Sequence, residues 1–252
     1  MKWKQIMAHI SAHKTIWQLT GLTLAMAILI GLAGEWFPFL QRQTVFAPAR
    51  FGSDILILDA GHGGEDGGAV SDSGVAESSL NLAIVLKIDQ LAGLYGVPVL
   101  LTRSDEHALG EQDGATVRER KRSDLKKRVE RINQTEHATL ISIHQNYYPG
   151  ASSGAQVFYG SEESSPALAR CAQALLCQTL DPANHRQAAQ IPDSVYLMSH
   201  ISCPAILVEC GFLSDAEEAE LLQRPDYQIK IAAALLSAYL TFDPAEAEEE
   251  HI

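Results

Sequence analysis

The sequence predicts an α/β fold: a single domain with a mostly parallel, twisted sheet flanked by helices, preceded by an N-terminal membrane segment. Two observations predict the domain. From Asp54 onward, short apolar runs alternate with blocks of helical periodicity, the pattern of strands linked by crossover helices. The 252 residues, 46% hydrophobic and 20% charged, suffice for one sizeable core, and no internal repeat points to a solenoid. A third observation predicts the membrane segment. Lys2, Lys4 and Lys14 precede an uncharged stretch over residues 16–33. As a helix that stretch reaches about 27 Å, near the lower bound for crossing a bilayer.

Taken in order, residues 1–34 are expected to be a cytoplasmic tip and signal-anchor, with the rest of the chain exported. An uncleaved anchor is favoured because the apolar run exceeds a signal-peptide core of about 7–15 residues, although Gly31 and Ala33 leave a cleaved, secreted form open. Residues 35–53, with Pro38, Pro48 and Gly52, read as a linker. The folded domain is placed at 54–241. Strands are expected at 55–58, 97–101, 139–143, 154–159, 195–198 and 205–208. Helices are expected at 78–94, 117–132, 166–180, 216–222 and 225–240, the last opened by Pro225 at a position that tolerates it. The tail 242–252, rich in glutamate, is expected to be disordered.

Charge excludes one class of function. A formal net charge of -12 is unsuited to nucleic acid, which is gripped by Lys and Arg. The one basic run, Arg118 to Arg131, also holds Glu119, Asp124 and Glu130, and reads as a solvated helix face. The four cysteines, Cys171, Cys177, Cys203 and Cys210, show no C-x-x-C pair and are expected to be free thiols.

The chemistry is expected at the carboxyl ends of strands, where α/β sheets place their sites. His62 follows the first strand in Asp59-Ala60-Gly61-His62-Gly63-Gly64, His144 follows Leu140-Ile141-Ser142-Ile143, and Glu209 follows Ala205-Ile206-Leu207-Val208. Glu77 lies near the start of the helix after His62. Two histidines and two carboxylates are the inventory of a catalytic zinc site, with three ligands and one carboxylate left as general base. Each has a plainer reading: a lone strand-end histidine is more often structural, and Glu77 suits a helix N-terminus. The glycines 63, 64, 67 and 68 lack the Lys-Ser/Thr or G-x-G-x-x-G context of a phosphate loop.

The blocks Leu58-Asp59-Ala60-Gly61-His62-Gly63-Gly64, Ser142-Ile143-His144-Gln145-Asn146 and Val208-Glu209-Cys210-Gly211-Phe212-Leu213-Ser214 resemble the signatures of zinc N-acetylmuramoyl-L-alanine amidases. Leu101-Thr102-Arg103, the helix around Asp124 to Arg128 with Asn133, and Ser153 to Tyr159 agree with that family as well. The short layout, with a membrane segment and no wall-binding repeats, is similar to the family's spore-cortex, germination-specific form. The resemblance implies Zn2+ ligated by His62, Glu77 and His144, with Glu209 as the catalytic carboxylate. The implied substrate is peptidoglycan, cut between the lactyl group of muramic acid and L-alanine. An activating lipoprotein or wall partner is a further implied partner. The alternatives are a zinc peptidase or deacetylase on another wall amide, or an inactive wall-binding module.

Two positions depart from the family pattern. Ala60 stands where many relatives have proline. Gln145 stands where a smaller or apolar residue is usual, and its long amide is expected to touch substrate or narrow the cleft. Cys210 is expected to face away from Glu209 and to be structural. Asn146, Arg103 and Arg128 are not assigned to catalysis, and the two arginines are expected to pair with surface carboxylates.

Overall fold

A computed structural model describes residues 54–110, 116–150 and 152–242. The expected membrane segment, the linker 35–53 and the acidic tail beyond residue 242 lie outside the described residues. Among the described residues, no helix is long and apolar enough to cross a membrane.

Six strands form one sheet in the order β2-β1-β3-β6-β4-β5. They are β1 (Ile55–Ala60), β2 (Val99–Leu101), β3 (Ala138–Asn146), β4 (Gln156–Tyr159), β5 (Ala189–Gln190) and β6 (Ala205–Phe212). The helices are α1 (Glu77–Leu94), α2 (Val117–Asn133), α3 (Ser165–Leu180), α4 (Tyr196–Ser199), α5 (Ala216–Gln223) and α6 (Pro225–Thr241). The sheet is mixed. β2, β1, β3 and β6 run parallel, and β4 lies antiparallel to β6 and parallel to β5.

Side-chain alternation divides the core between the two faces of the sheet. Leu56, Leu58, Ile141, Ile143, Ile206 and Val208 join the larger apolar cluster with residues of α1, α3 and α6. Ile57, Leu140 and Leu207 join a smaller cluster with Ile132 of α2 and Leu197 and Met198 of α4. β1, β3 and β6 are neighbours with the same direction, so their carboxyl ends come out side by side at one edge.

Two expectations are corrected. Residues 195–198 do not form a strand; Tyr196–Ser199 is a single helical turn, and the short edge strand is Ala189–Gln190 instead. An apolar run of four residues carries too little periodicity to separate the two states. The basic run in α2 is not wholly a solvated face either. Asp124, Arg128 and Ile132 are buried, and their spacing of four residues puts them on one stripe turned to the sheet.

That stripe serves a buried anion. Asp59, 1% exposed at the end of β1, accepts hydrogen bonds from Thr102 Oγ1 (2.7 Å), Ser142 Oγ (2.6 Å) and Arg128 Nη1 (2.7 Å). Arg128 Nε also donates to Asp124 Oδ2 at 2.7 Å. Burial pushes the Asp59 carboxyl up, but the Arg128 charge and the two hydroxyls outweigh it and hold it at about 2, below the ordinary 3.8. The stability this contributes is present above that ordinary value and is lost as pH falls through the folded one.

Replacing Arg128 by Met leaves Asp59 buried without its cation. Urea unfolding at neutral pH is expected to show a loss of roughly 3–5 kcal/mol. The gap between variant and parent should narrow as Asp59 is protonated in acid. A loss under about 0.5 kcal/mol, the range of ordinary surface substitutions, would contradict this role for Arg128.

Candidate metal centre and active site

The carboxyl edge of β1, β3 and β6 gathers the predicted residues. His62 lies two residues past β1, His144 lies within β3, and Glu209 lies within β6 directly opposite His144 in register. Glu77 is the first residue of α1, which returns over the same edge.

The turn that carries His62 is unusual. His62 has φ 63°, a left-handed conformation that few non-glycine residues adopt. Two buried guanidinium groups grip its carbonyls. Arg128 donates to Ala60 O (2.7 Å) and His62 O (2.5 Å), while Arg103 donates to Ala60 O (2.9 Å), Gly61 O (3.2 Å) and Ser78 O (2.7 Å). The expected pairing of these arginines with surface carboxylates is therefore corrected: they are 5% and 1% exposed for Arg103 and Arg128, and they shape the His62 turn. The His144 ring lies where a Cβ on residue 61 would be, so that position demands glycine. Gly68, with φ 68°, lies equally close to Glu77 and His62.

Glu77 is the hub. Its Oε1 lies 3.0 Å from His144 Nδ1 and its Oε2 lies 3.3 Å from His62 Nε2. The backbone N–H groups of Ala69 and Gln145 donate to it at 2.9 and 3.1 Å, and Asn81 Nδ2 donates at 3.3 Å. Burial alone would raise the Glu77 carboxyl; His144 and His62 overcome it and hold it far below the usual range. Burial pushes the His62 imidazole down, but Asp66 and Glu77 more than reverse this and raise it to about 9 from the ordinary 6.5. One ligand atom from each of His62, Glu77 and His144 falls within 4.8 Å of the others. Two imidazoles and one carboxylate converging in this way are the donor set of a catalytic zinc site, so the residues fit a metal ion.

Glu209 stands beside this cluster without belonging to it. Its Oε2 is buried and has no hydrogen-bond partner among the described residues. Burial pushes its carboxyl up to about 7 from the ordinary 4.5; the His144 and His62 charges oppose this, and Glu77 adds to it. A carboxyl poised near neutrality at the edge of a metal-competent cluster is suited to accept and return a proton.

Gln145 is also corrected. Rather than lining the cleft, its side chain is 3% exposed and donates from Nε2 to Asn81 Oδ1 at 3.1 Å, behind Glu77. Cys210 is fully buried, and all four cysteines are free. Asp66 and Asn81 went unnoticed in the sequence. Asp66 is four residues past His62, and Asn81 is four residues past Glu77 and so on the same helix face, a spacing that offers the only sequence signal for either.

Fold and site together define a class: an α/β domain with a metal-competent hydrolytic centre at the carboxyl edge of its sheet. Residues 56–240 match the family model described as N-acetylmuramoyl-L-alanine amidase, and the chain belongs to that family. It is 35% identical over 199 residues to the germination-specific N-acetylmuramoyl-L-alanine amidase of Bacillus subtilis, covering 76% of this chain and 83% of that protein. The structure of the CwlD amidase from Clostridioides difficile, in complex with the GerS lipoprotein, superposes with a TM-score of 0.72 at 36% identity, over 75% of this chain and 98% of that one. The catalytic domain of the amidase CwlV from Bacillus (Paenibacillus) polymyxa gives 0.61 at 28% identity, over 75% and 99%.

The unpaired oxygen of Glu209 generates a prediction about stability in the metal-free protein. Because the folded pKa is raised, the folded state binds more protons than the unfolded one between about pH 4.5 and 7, so stability falls as pH rises through that window. Glu209→Gln removes that cost. Above pH 7 the metal-free variant is expected to exceed the parent by roughly 1–3 kcal/mol in denaturant unfolding, and near pH 4 the two should agree. A variant less stable than the parent at pH 8 would contradict the geometry.

Proposed function

We propose that the protein hydrolyses the amide between the lactyl group of N-acetylmuramic acid and the L-alanine of peptidoglycan stem peptides, as a zinc enzyme with Glu209 as its base. The observation that carries this is the convergence of His62, Glu77 and His144 beside Glu209, whose Oε2 is buried and without a hydrogen-bond partner. The bond cut is that of the family to which the chain belongs.

His62, Glu77 and His144 would hold the zinc. When bound, it supplies an acidified water and Lewis-acid polarisation of the scissile carbonyl. The remaining work falls to the chain's own residues. Arg103 and Arg128 fix the His62 turn, and Asn81 with two backbone N–H groups fixes Glu77, so the ligands are held in place before substrate arrives. Glu209 accepts the proton of the attacking water and passes it to the departing amine of L-alanine.

The 35% identity to the germination-specific amidase supports a role in cell-wall or spore-cortex remodelling. The superposition on an amidase in complex with a lipoprotein supports a lipoprotein partner here as well. Peptidoglycan lies outside the membrane, and the basic flank and apolar run of the first 34 residues support anchoring there with the catalytic domain exported.

Digestion of purified peptidoglycan by the full chain is expected to release new L-alanine amino termini. Products from another amide would instead favour a peptidase or deacetylase. Glu209→Gln is expected to lower the rate by ~10²-fold or more, the low end of general acid–base contributions, while zinc content stays at the parental level. Loss of zinc in that variant would make Glu209 a ligand, and parental activity would remove it from the mechanism.

A further inference from the structure

His62 uses both of its ring nitrogens. Nε2 faces Glu77 Oε2 at 3.3 Å, and Nδ1 faces Asp66 Oδ2 at 3.0 Å. His144 presents the opposite nitrogen, Nδ1, to Glu77. Asp66 is itself held in place. Its backbone exchanges two hydrogen bonds with Gly63, Asp66 N to Gly63 O at 3.0 Å and Gly63 N to Asp66 O at 2.9 Å. Its second carboxylate oxygen accepts from Gly68 N at 3.3 Å and lies 2.7 Å from Lys121 Nζ of α2.

We propose that Asp66 is a positioning residue for the metal centre, fixing the ring of His62 with Nε2 toward Glu77 and the ion. The inference rests on the reading of His62 as a ligand. A carboxylate on Nδ1 accepts a hydrogen bond only from the Nδ1–H form. In the neutral ring that leaves the lone pair on Nε2, the nitrogen on the cluster side. The same contact sets ring rotation, which the backbone alone does not. His62 sits in a short left-handed turn, not in a strand, and Arg128 holds only its carbonyl. Lys121, half exposed on α2, neutralises the far side of Asp66 and ties this arrangement to the helix that also supplies Arg128.

The test is zinc affinity of the purified full chain, measured by competition with a chromophoric chelator. The parent is compared with His62→Ala, Asp66→Ala and Asp66→Asn. Asp66→Ala is expected to weaken zinc binding by about 10–100-fold. Asp66→Asn keeps an acceptor oxygen for Nδ1–H but loses the charge, so it should recover part of that loss and remain weaker than the parent. Both variants are expected to lose some metal-free thermal stability, since Asp66 pairs with His62 and Lys121, so zinc affinity is read well below each variant's midpoint. The visible spectrum of the cobalt-substituted Asp66→Ala variant should differ from the parent's, which a purely structural role would not produce. If Asp66→Ala does not fold, Asp66→Asn carries the test alone, with weaker binding expected. Parental zinc affinity in the Asp66 variants, alongside strong loss in His62→Ala, would overturn the positioning role and leave the site intact. Parental affinity in His62→Ala as well would overturn both.

Discussion

The anion of Asp59 is the constraint on which the site depends. It ends a core strand at 1% exposure, where an uncompensated charge is not tolerated. One guanidinium, that of Arg128, meets it, and the same guanidinium reaches past it to the carbonyls of Ala60 and His62. Neutralising the strand end and shaping the metal-loop turn are thus done by one side chain. Arg103 closes the turn from the other side through Ala60, Gly61 and Ser78. A buried ion pair of this kind is weak ground for stability as such, since apolar residues of similar volume often serve as well. Its value here is geometric, because no apolar pair could hold three successive carbonyls and a residue at φ 63°.

Glu209 shows the opposite arrangement. Every oxygen of Asp59 is hydrogen-bonded, whereas Oε2 of Glu209 is buried and bare. The two carboxylates lie on β1 and β6, separated in the sheet only by β3, yet their pKa values are driven apart, to about 2 and about 7. Environments that separate two carboxyl groups in this way separate their roles. The first is a fixed charge that organises structure. The second keeps one oxygen unpaired at some cost to stability, which suits the proton-transfer role proposed for it.

Much of this was legible in the sequence. The apolar runs 139–143 and 205–208 located two core strands and drew attention to His144 and Glu209, but the strands run on to Asn146 and Phe212, so both residues lie within them rather than after them. Pro225 marked the start of α6 for a clear local reason. What could not be read was tertiary. Asp124, Arg128 and Lys121 look like solvated charge in a run of alternating sign, and only the packing of α2 against β1 shows that two of them are buried. Gln145 was expected in the cleft because its long amide stands where a smaller or apolar residue is usual, but its side chain turns into the protein toward Asn81. Asp66 was invisible for a different reason: glycines on both sides disguise it as loop, and its meaning comes from the ring nitrogen it faces. The short runs near residues 189–199 were mis-sorted because two to four residues do not establish a period.

The proposed mechanism stands or falls on a metal centre formed by His62, Glu77 and His144 with Glu209 beside it as the base. Anomalous diffraction from crystals grown with zinc, recorded on both sides of the zinc edge, tests this most directly. One strong peak is expected within bonding distance of His62 Nε2, His144 Nδ1 and the Glu77 carboxylate, with Glu209 outside that distance. A peak ligated by Glu209 in place of Glu77, or one lying away from these histidines, would contradict it.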